Sequence, residues 1–422
     1  MIDKSSAPPG AGKPSSRGAK FTNTFAALKH RNYRLWFIGQ LTSLIGTWMQ
    51  NVAQPWLVYE MTKSPFYLGL VSFAAAIPTL TLSLWAGVIV DRVPKQRLLL
   101  ITQIVLMLNA FALTADFFLG WIQPWHIVIT ALINGIAQAF DAPARLSFTI
   151  EMVGRDDLMN AIALNSAMFN IARILGPSLA GVVLALVGAG WCFFLNGMSF
   201  LAVLGGLLLM NFPPFVPKPR ADSHLAQLRE GLSYIRHNET VRSLIILVAV
   251  SNVFAMGYSA LIPAFARDVL NAGEIGLGLM SACIGAGALI AALVLASLGN
   301  FQHKGMLLTV GNLLLPTMVL AFAFSTWLPL SLAILIAAGW GFMTQNATAN
   351  TLIQTTVPDH LRGRVMSVYT LVFMGFFPVG SLIAGIVAQN FGIPLGAAFG
   401  GAIALAFSVF LLVVAPNIRK LA

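Results

Sequence analysis

From residue 35 onward the chain is a succession of long apolar runs parted by short polar hinges. This alternation limits the possible folds more than any single motif does. The runs fall at about 35–60, 65–90, 98–119, 125–143, 160–187 and 191–211. After a polar stretch they resume at about 243–266, 274–298, 306–326, 329–350, 364–389 and 394–415. Each supplies close to the roughly 20 apolar residues needed to cross about 30 Å of hydrocarbon. The expected fold is an all-α membrane protein with twelve transmembrane helices in two six-helix bundles. The composition agrees, at 58% hydrophobic and 9% charged with a mean hydropathy of +0.82. A soluble protein carries about 25% charged residues.

The basic residues give the chain a direction. Of its 25 lysines and arginines, 22 lie in the N-terminal tail, the even-numbered hinges and the C-terminal end. Lys63 and Arg267 lie on the opposite side, and Arg173 lies inside a span. Cytoplasmic loops of membrane proteins are enriched in Lys and Arg, so both termini are expected in the cytoplasm. The net charge of +11 reflects this topology, and no nucleic acid is expected as a partner. Cys192 and Cys283 fall within apolar runs and read as small core residues.

Four segments follow. Residues 1–30, rich in Pro, Gly and Ser, read as a disordered cytoplasmic tail. Residues 31–211 form the first bundle, 212–242 a cytoplasmic linker and 243–422 the second bundle. The linker opens with Pro213, Pro214, Pro217 and Pro219. It then sets Leu225, Leu228, Leu232 and Ile235 on one helical face, as an amphipathic helix on the membrane surface would. The halves echo each other: Gly176-Pro-Ser-Leu-Ala-Gly181 returns loosely as Gly380-Ser-Leu-Ile-Ala-Gly385, about half the chain later.

The hinge Gly87-Val-Ile-Val-Asp-Arg-Val-Pro-Lys-Gln-Arg97 collects Asp91, Arg92, Lys95 and Arg97 between two apolar runs. Gly87 is expected to let another backbone come close. The hinge resembles motif A of the major facilitator superfamily, with Pro94 in place of its second glycine. Ala142-Pro-Ala-Arg145, the stretch Val153 to Leu158, and Asn170-Ile-Ala-Arg-Ile-Leu-Gly-Pro-Ser-Leu-Ala-Gly181 resemble the enterobactin-exporter branch. That branch also holds drug:proton antiporters of the macrolide-efflux type. Gly176, Pro177 and Gly181 are similar to antiporter motif C, one residue longer than usual. The resemblance implies a multi-pass protein of the bacterial inner membrane that exports small molecules against protons. It also implies a cytoplasmic latch in which Asp141 pairs with Arg92 or Lys95, and Asp91 meets the start of the eleventh span.

Polar groups at membrane depth should line a water-filled cavity or bond between helices. Gln50, Asn51 and Gln54, with Thr47, make a stripe in the first span; Asn134 and Gln138 do so in the fourth. Asn170, Gln345 and Asn346 are further candidates. Small residues at Gly176 and Gly181 permit close helix packing, and Pro177 permits a bend. Arg173 sits too deep to reach the surface. A residue of another helix, such as Asp116 or Asp141 in a structural pair, a backbone carbonyl, or an anionic or catecholate-like substrate should partner it. Among the acidic residues Asp116 is the best of a poor set for carrying a proton.

The expected function is proton-coupled efflux of small amphipathic molecules, siderophore-like or drug-like, by alternating access. The expected partners are that substrate, protons and the bilayer, around a monomer. An importer or lysolipid flippase of the same fold, and a non-transporting receptor or scaffold, are the alternatives. No metal, cofactor or enzyme activity is expected: the six histidines show no ligand spacing, and no nucleotide-binding or hydrolase motif occurs. The charge segregation makes one test simple. Reporters fused after Ala422 and within the 267–273 loop should report opposite faces of the membrane, the first cytoplasmic. Finding both on one face contradicts the topology.

Overall fold

The computed structural model describes residues 25–212, 224–299, 302–414 and 419. The first bundle is α1 (Arg31–Thr62), α2 (Pro65–Arg92), α3 (Lys95–Phe118), α4 (Pro124–Val153), α5 (Leu158–Val187) and α6 (Ala189–Leu208). A linker helix follows, α7 (His224–His237). The second bundle is α8 (Glu239–Val269), α9 (Gly273–Leu298), α10 (Lys304–Ala323), α11 (Leu328–Thr356), α12 (Asp359–Phe391) and α13 (Ile393–Val414).

Eleven of these helices are long and apolar enough to cross a membrane. The twelfth, α1, has the length, at 32 residues, but its polar stripe and basic start lower its apolarity. Its Gly39 lies so close to α6 that a Cβ there would stand 2.7 Å from the Ala202 carbonyl oxygen. A helix buried by its neighbours can carry amides that a lipid-facing one cannot.

The chain breaks helices where its residues dictate. Pro65 and Pro124 open α2 and α4, where a missing N–H costs nothing. Gly188, at φ +87°, ends α5 and turns into α6; Gly392, at φ +98°, does the same between α12 and α13. These two hinges occupy matching places in the two halves.

Two membrane helices are irregular. In α8 the turns widen at Ser251–Ala255, tighten at Gly257–Leu261 and widen again at Phe265–Val269. In α12 the helix is interrupted at Phe376, just before Pro378. Irregular backbone at membrane depth survives only where protein buries it or a cavity needs it. Both breaks adjoin the cavity described below.

The apolar core is divided unevenly. One cluster joins both bundles at the end far from the termini, with Trp56, Leu68 and Phe193 beside Tyr258, Phe265, Leu277 and Phe322. Near the termini each bundle has its own core: Tyr33, Trp36, Leu99 and Phe148 in the first; Val241, Leu308, Leu352 and Val365 in the second. The bundles are thus fused at one end and separately packed at the other.

The linker helix is docked. The Arg364 guanidinium pairs with Glu230, Ile235 is buried and Leu232 is 55% exposed. The expected apolar face is therefore split: Ile235 packs into the second bundle's core and Leu232 faces away. The side chains of Leu225 and Leu228, the proline-rich exit at 213–219 and the tail before residue 25 lie outside the described residues. A Cβ on Gly231 would come within 2.7 Å of the Arg364 carbonyl oxygen, whereas one on Gly363 would meet nothing within 4 Å. Gly231→Leu should lower thermal stability in detergent by about 1–3 kcal/mol through overpacking. Gly363→Leu should change it little.

Candidate functional site

A cavity of about 460 Å³ lies between the two bundles. Its first-bundle wall includes Trp48, Asn51 and Gln54 of α1, Ser72 of α2, Asn134 of α4, and Arg173 and Pro177 of α5. The second bundle contributes Met256, Ser259 and Pro263 from the irregular stretch of α8, Ser281 and Ile284 of α9, and Phe377 at the break of α12. The size and the mix of apolar wall with few polar groups suit a small organic molecule.

The expected polar residues divide into two sets. Asn51, Gln54, Asn134 and Arg173 reach this cavity. Gln50 does not: its amide oxygen accepts from Asn196 at 2.6 Å, tying α1 to α6. Gln138 lines only an adjoining recess of about 10 Å³, room for one water, shared with Gln50, Asn51 and Asn134. Asn170 donates to the Ser166 carbonyl of its own helix. Gln345 and Asn346 lie inside the second bundle, where Gln345 donates to Ser251 at 2.6 Å and steadies the widened turn of α8. Gln50 and Gln345 therefore hold helices together, while the Asn346 amide donates to the Phe342 carbonyl of its own helix. Ser259, Ser281 and Met256 form the second bundle's wall instead. Small or apolar side chains carry no signal at spacing level, so sequence reasoning missed them.

Arg173 stands at the midpoint of the 30-residue α5. Its guanidinium carbon lies 6.0 Å from the centre of the Trp48 ring. Among the described residues no carboxylate comes within ion-pair distance of it. The two expected partners are engaged elsewhere. Asp116 lies 3.1 Å from His126 Nδ1 at the far end, and Asp141 pairs with Arg145. Asp116 is thus also outside the cavity, which removes the geometric basis for a proton site there.

The latch expected around Asp141 takes another form. Asp141 is fully buried and accepts from Thr102 Oγ1 at 2.8 Å and Gln103 Nε2 at 2.7 Å, besides its pair with Arg145. Arg145 lies one turn on in the same helix and reaches Asp141 without crossing a gap. Lys95 bonds Glu151 at 2.6 Å, nearer the surface. Arg92 and Arg97 are exposed, and the Asp91 side chain lies outside the described residues. Gly87 was expected to allow a close approach, yet a Cβ there would meet nothing within 4 Å. Among the described residues nothing packs against it.

The far end is sealed between bundles. Tyr59 OH donates to Asp268, Arg267 pairs with Glu60 at 2.7 Å, and Ser64 bonds Gln389 at 2.7 Å. Arg267 also lies over the Trp56 ring at 6.0 Å. The glycine-rich stretch of α5 takes part: a Cβ on Gly181 would stand 2.9 Å from the Glu274 carbonyl oxygen, and one on Gly278 would stand 2.7 Å from that of Pro177. Gly176 instead packs on Trp48 within the first bundle and so sets one cavity wall.

Two bundles, a cavity between them and a seal at one end are the architecture of a membrane transporter. The chain matches the family of transmembrane secretion effectors over residues 22–420 and belongs to it, within the major facilitator superfamily. It is 26% identical to the staphyloferrin A transporter of Staphylococcus aureus, over 85% of this chain and 90% of that protein. It is 27% identical to the multidrug efflux pump Tap of Mycolicibacterium fortuitum, over 90% and 95%. The crystal structure of the nucleoside transporter NupG, D323A mutant, shares the fold with a TM-score of 0.72 at 13% identity, covering 92% of this chain and 99% of that one. The relatives are transporters, not enzymes.

Two outcomes test this geometry. Asp141→Asn strands a half-buried guanidinium and should cost about 3–5 kcal/mol in a detergent unfolding assay; Thr102→Val should cost about 1 kcal/mol. In a background with Cys192→Ser and Cys283→Ser, Gly181→Val should part the seal. It should raise labelling of Ser281→Cys by an impermeant thiol reagent from the far face several-fold. Unchanged labelling would mean that Gly181 does not hold the bundles closed.

Proposed function

We propose that the chain exports small amphipathic molecules from the cytoplasm by alternating access, with both termini cytoplasmic and the far end facing outward. The observation that carries this reading is the cavity of about 460 Å³ walled by both bundles and closed on the far side. A site shared by two rigid bundles changes exposure when they rock, which a one-sided receptor would not need. The description of Tap as an efflux pump supports the outward direction. Proton coupling is what the family resemblance implies. Among the described residues the cavity wall offers no carboxylate to carry it.

The test is accumulation in inverted membrane vesicles, whose interior corresponds to the cell exterior. A panel of radiolabelled amphipathic anions, neutral compounds and cations is offered with the respiratory chain energised. Wild-type vesicles should accumulate at least one class several-fold above vesicles lacking the protein. Gly278→Leu, which wedges α9 off α5, should lower that accumulation at equal expression. Vesicles indistinguishable from the controls for every compound would refute export.

A further inference from the structure

We propose that the cavity binds an amphipathic organic anion through Arg173, and that the membrane potential acting on this charge drives export. The inference rests on the export reading above and replaces its implied proton coupling.

The argument starts from an uncompensated charge. Arginine stays protonated in proteins, and a cation at the centre of a bilayer is costly unless something neutralises it. Among the described residues no carboxylate lies within ion-pair distance of Arg173: Glu274 and Glu239 sit in the first turns of α9 and α8, and those nearer its depth or in the seal are engaged elsewhere. Asp141 is held by Arg145, Thr102 and Gln103, and Asp116 lies against His126. Glu60 and Asp268 are committed to Arg267 and Tyr59 in the far-end seal. What faces Arg173 is the Trp48 ring on α1, the Gly285 backbone on α9 and the buried phenol of Tyr258 on α8. None of these supplies a negative charge in the neutral phenol form. A ligand anion is the counter-charge still wanting.

The rest of the wall describes the remainder of that ligand. Trp48, Met256, Pro263 and Phe377 present apolar and aromatic surface. The ligand class is therefore an organic anion with an apolar or aromatic body. A cation would meet a like charge at Arg173, with no acidic residue on the wall to offset it.

The same charge supplies a driving force. With the anion bound the site is neutral, and with the anion gone it carries one positive charge. A cell interior is electrically negative. Rocking the neutral loaded site outward is insensitive to the potential, while returning the positive empty site inward follows it. The net result per cycle is one negative charge moved outward, which the potential favours. A potential of roughly 100 mV supports a concentration ratio of about fifty per charge. No protonatable carboxylate in the cavity is required.

The test uses two permanently charged probes of matched shape, 1-naphthalenesulfonate and 1-naphthyltrimethylammonium, with the full-length purified protein. In equilibrium binding the anion should bind at least tenfold more tightly than the cation. Arg173→Gln should lose that preference, and Arg173→Lys should keep part of it. No anion preference in the wild type, or an unchanged preference in a folded Arg173→Gln protein, overturns the anion site. The wild-type comparison stands even if the variants fail to fold.

The driving force is read in inverted vesicles. An inside-positive potassium diffusion potential set with valinomycin, at equal pH on both sides, should drive accumulation of the anion. A pH gradient at zero potential should not. Accumulation that follows the pH gradient and ignores the potential overturns the electrical mechanism while leaving export intact. If no compound is accumulated under either gradient, the export reading fails as well.

Discussion

The structure depends on backbones meeting where no hydrophobic force brings them together. Lipid tails are as apolar as leucine, so helices in a bilayer associate by close van der Waals contact, and small residues make that contact possible. Here the two bundles meet through such residues on two sides. Gly181 of α5 lies against Gly278 of α9, while Gly385 of α12 lies against Gly69 of α2. Gly181 and Gly385 close the two related glycine stretches of the internal repeat. Each half thus lends one helix to the other, and the pair of contacts closes the far end symmetrically about the cavity.

With the far end fused, the cores near the termini can separate without unfolding either bundle. Each has its own buried cluster, so a rocking motion would expose little apolar surface beyond what the cavity already presents. The breaks in α8 and α12 fall beside the cavity for a related reason. Proline and glycine loosen the helix there, and Gln345 props the widened turn by bonding Ser251. The polar groups that interrupt an apolar span are thereby satisfied from within the bundle, as membrane depth demands.

The ionisable residues show how economically the chain uses charge in lipid. Asp141 is buried completely and is satisfied by three donors from α3 and α4. Arg267, Glu60 and Asp268 neutralise one another at the far end, where water is near. Arg173 alone among the described intramembrane charges faces the cavity without a carboxylate. Structural charges are paired and the cavity charge is not, and that contrast separates glue from binding site.

The class of fold was legible in the residues alone, because twenty-residue apolar runs in lipid have one practical backbone solution. The basic hinges set an expected direction for the chain, and the motif around Asp91 and Arg92 pointed to its family. Depth was legible too: the position of Arg173 in span five alone puts it beyond snorkelling range. Partners were not. An amide stripe at helical spacing looks the same whether it faces a cavity or a neighbouring helix, so Gln50 and Gln345 could not be told from Asn51 and Gln54. Pairing across helices depends on rotation and register, which periodicity does not encode. Only the tertiary structure could give Asp141 to Arg145 rather than to the hinge, join Glu60 to Arg267 across the far-end seal, and leave Arg173 with Trp48.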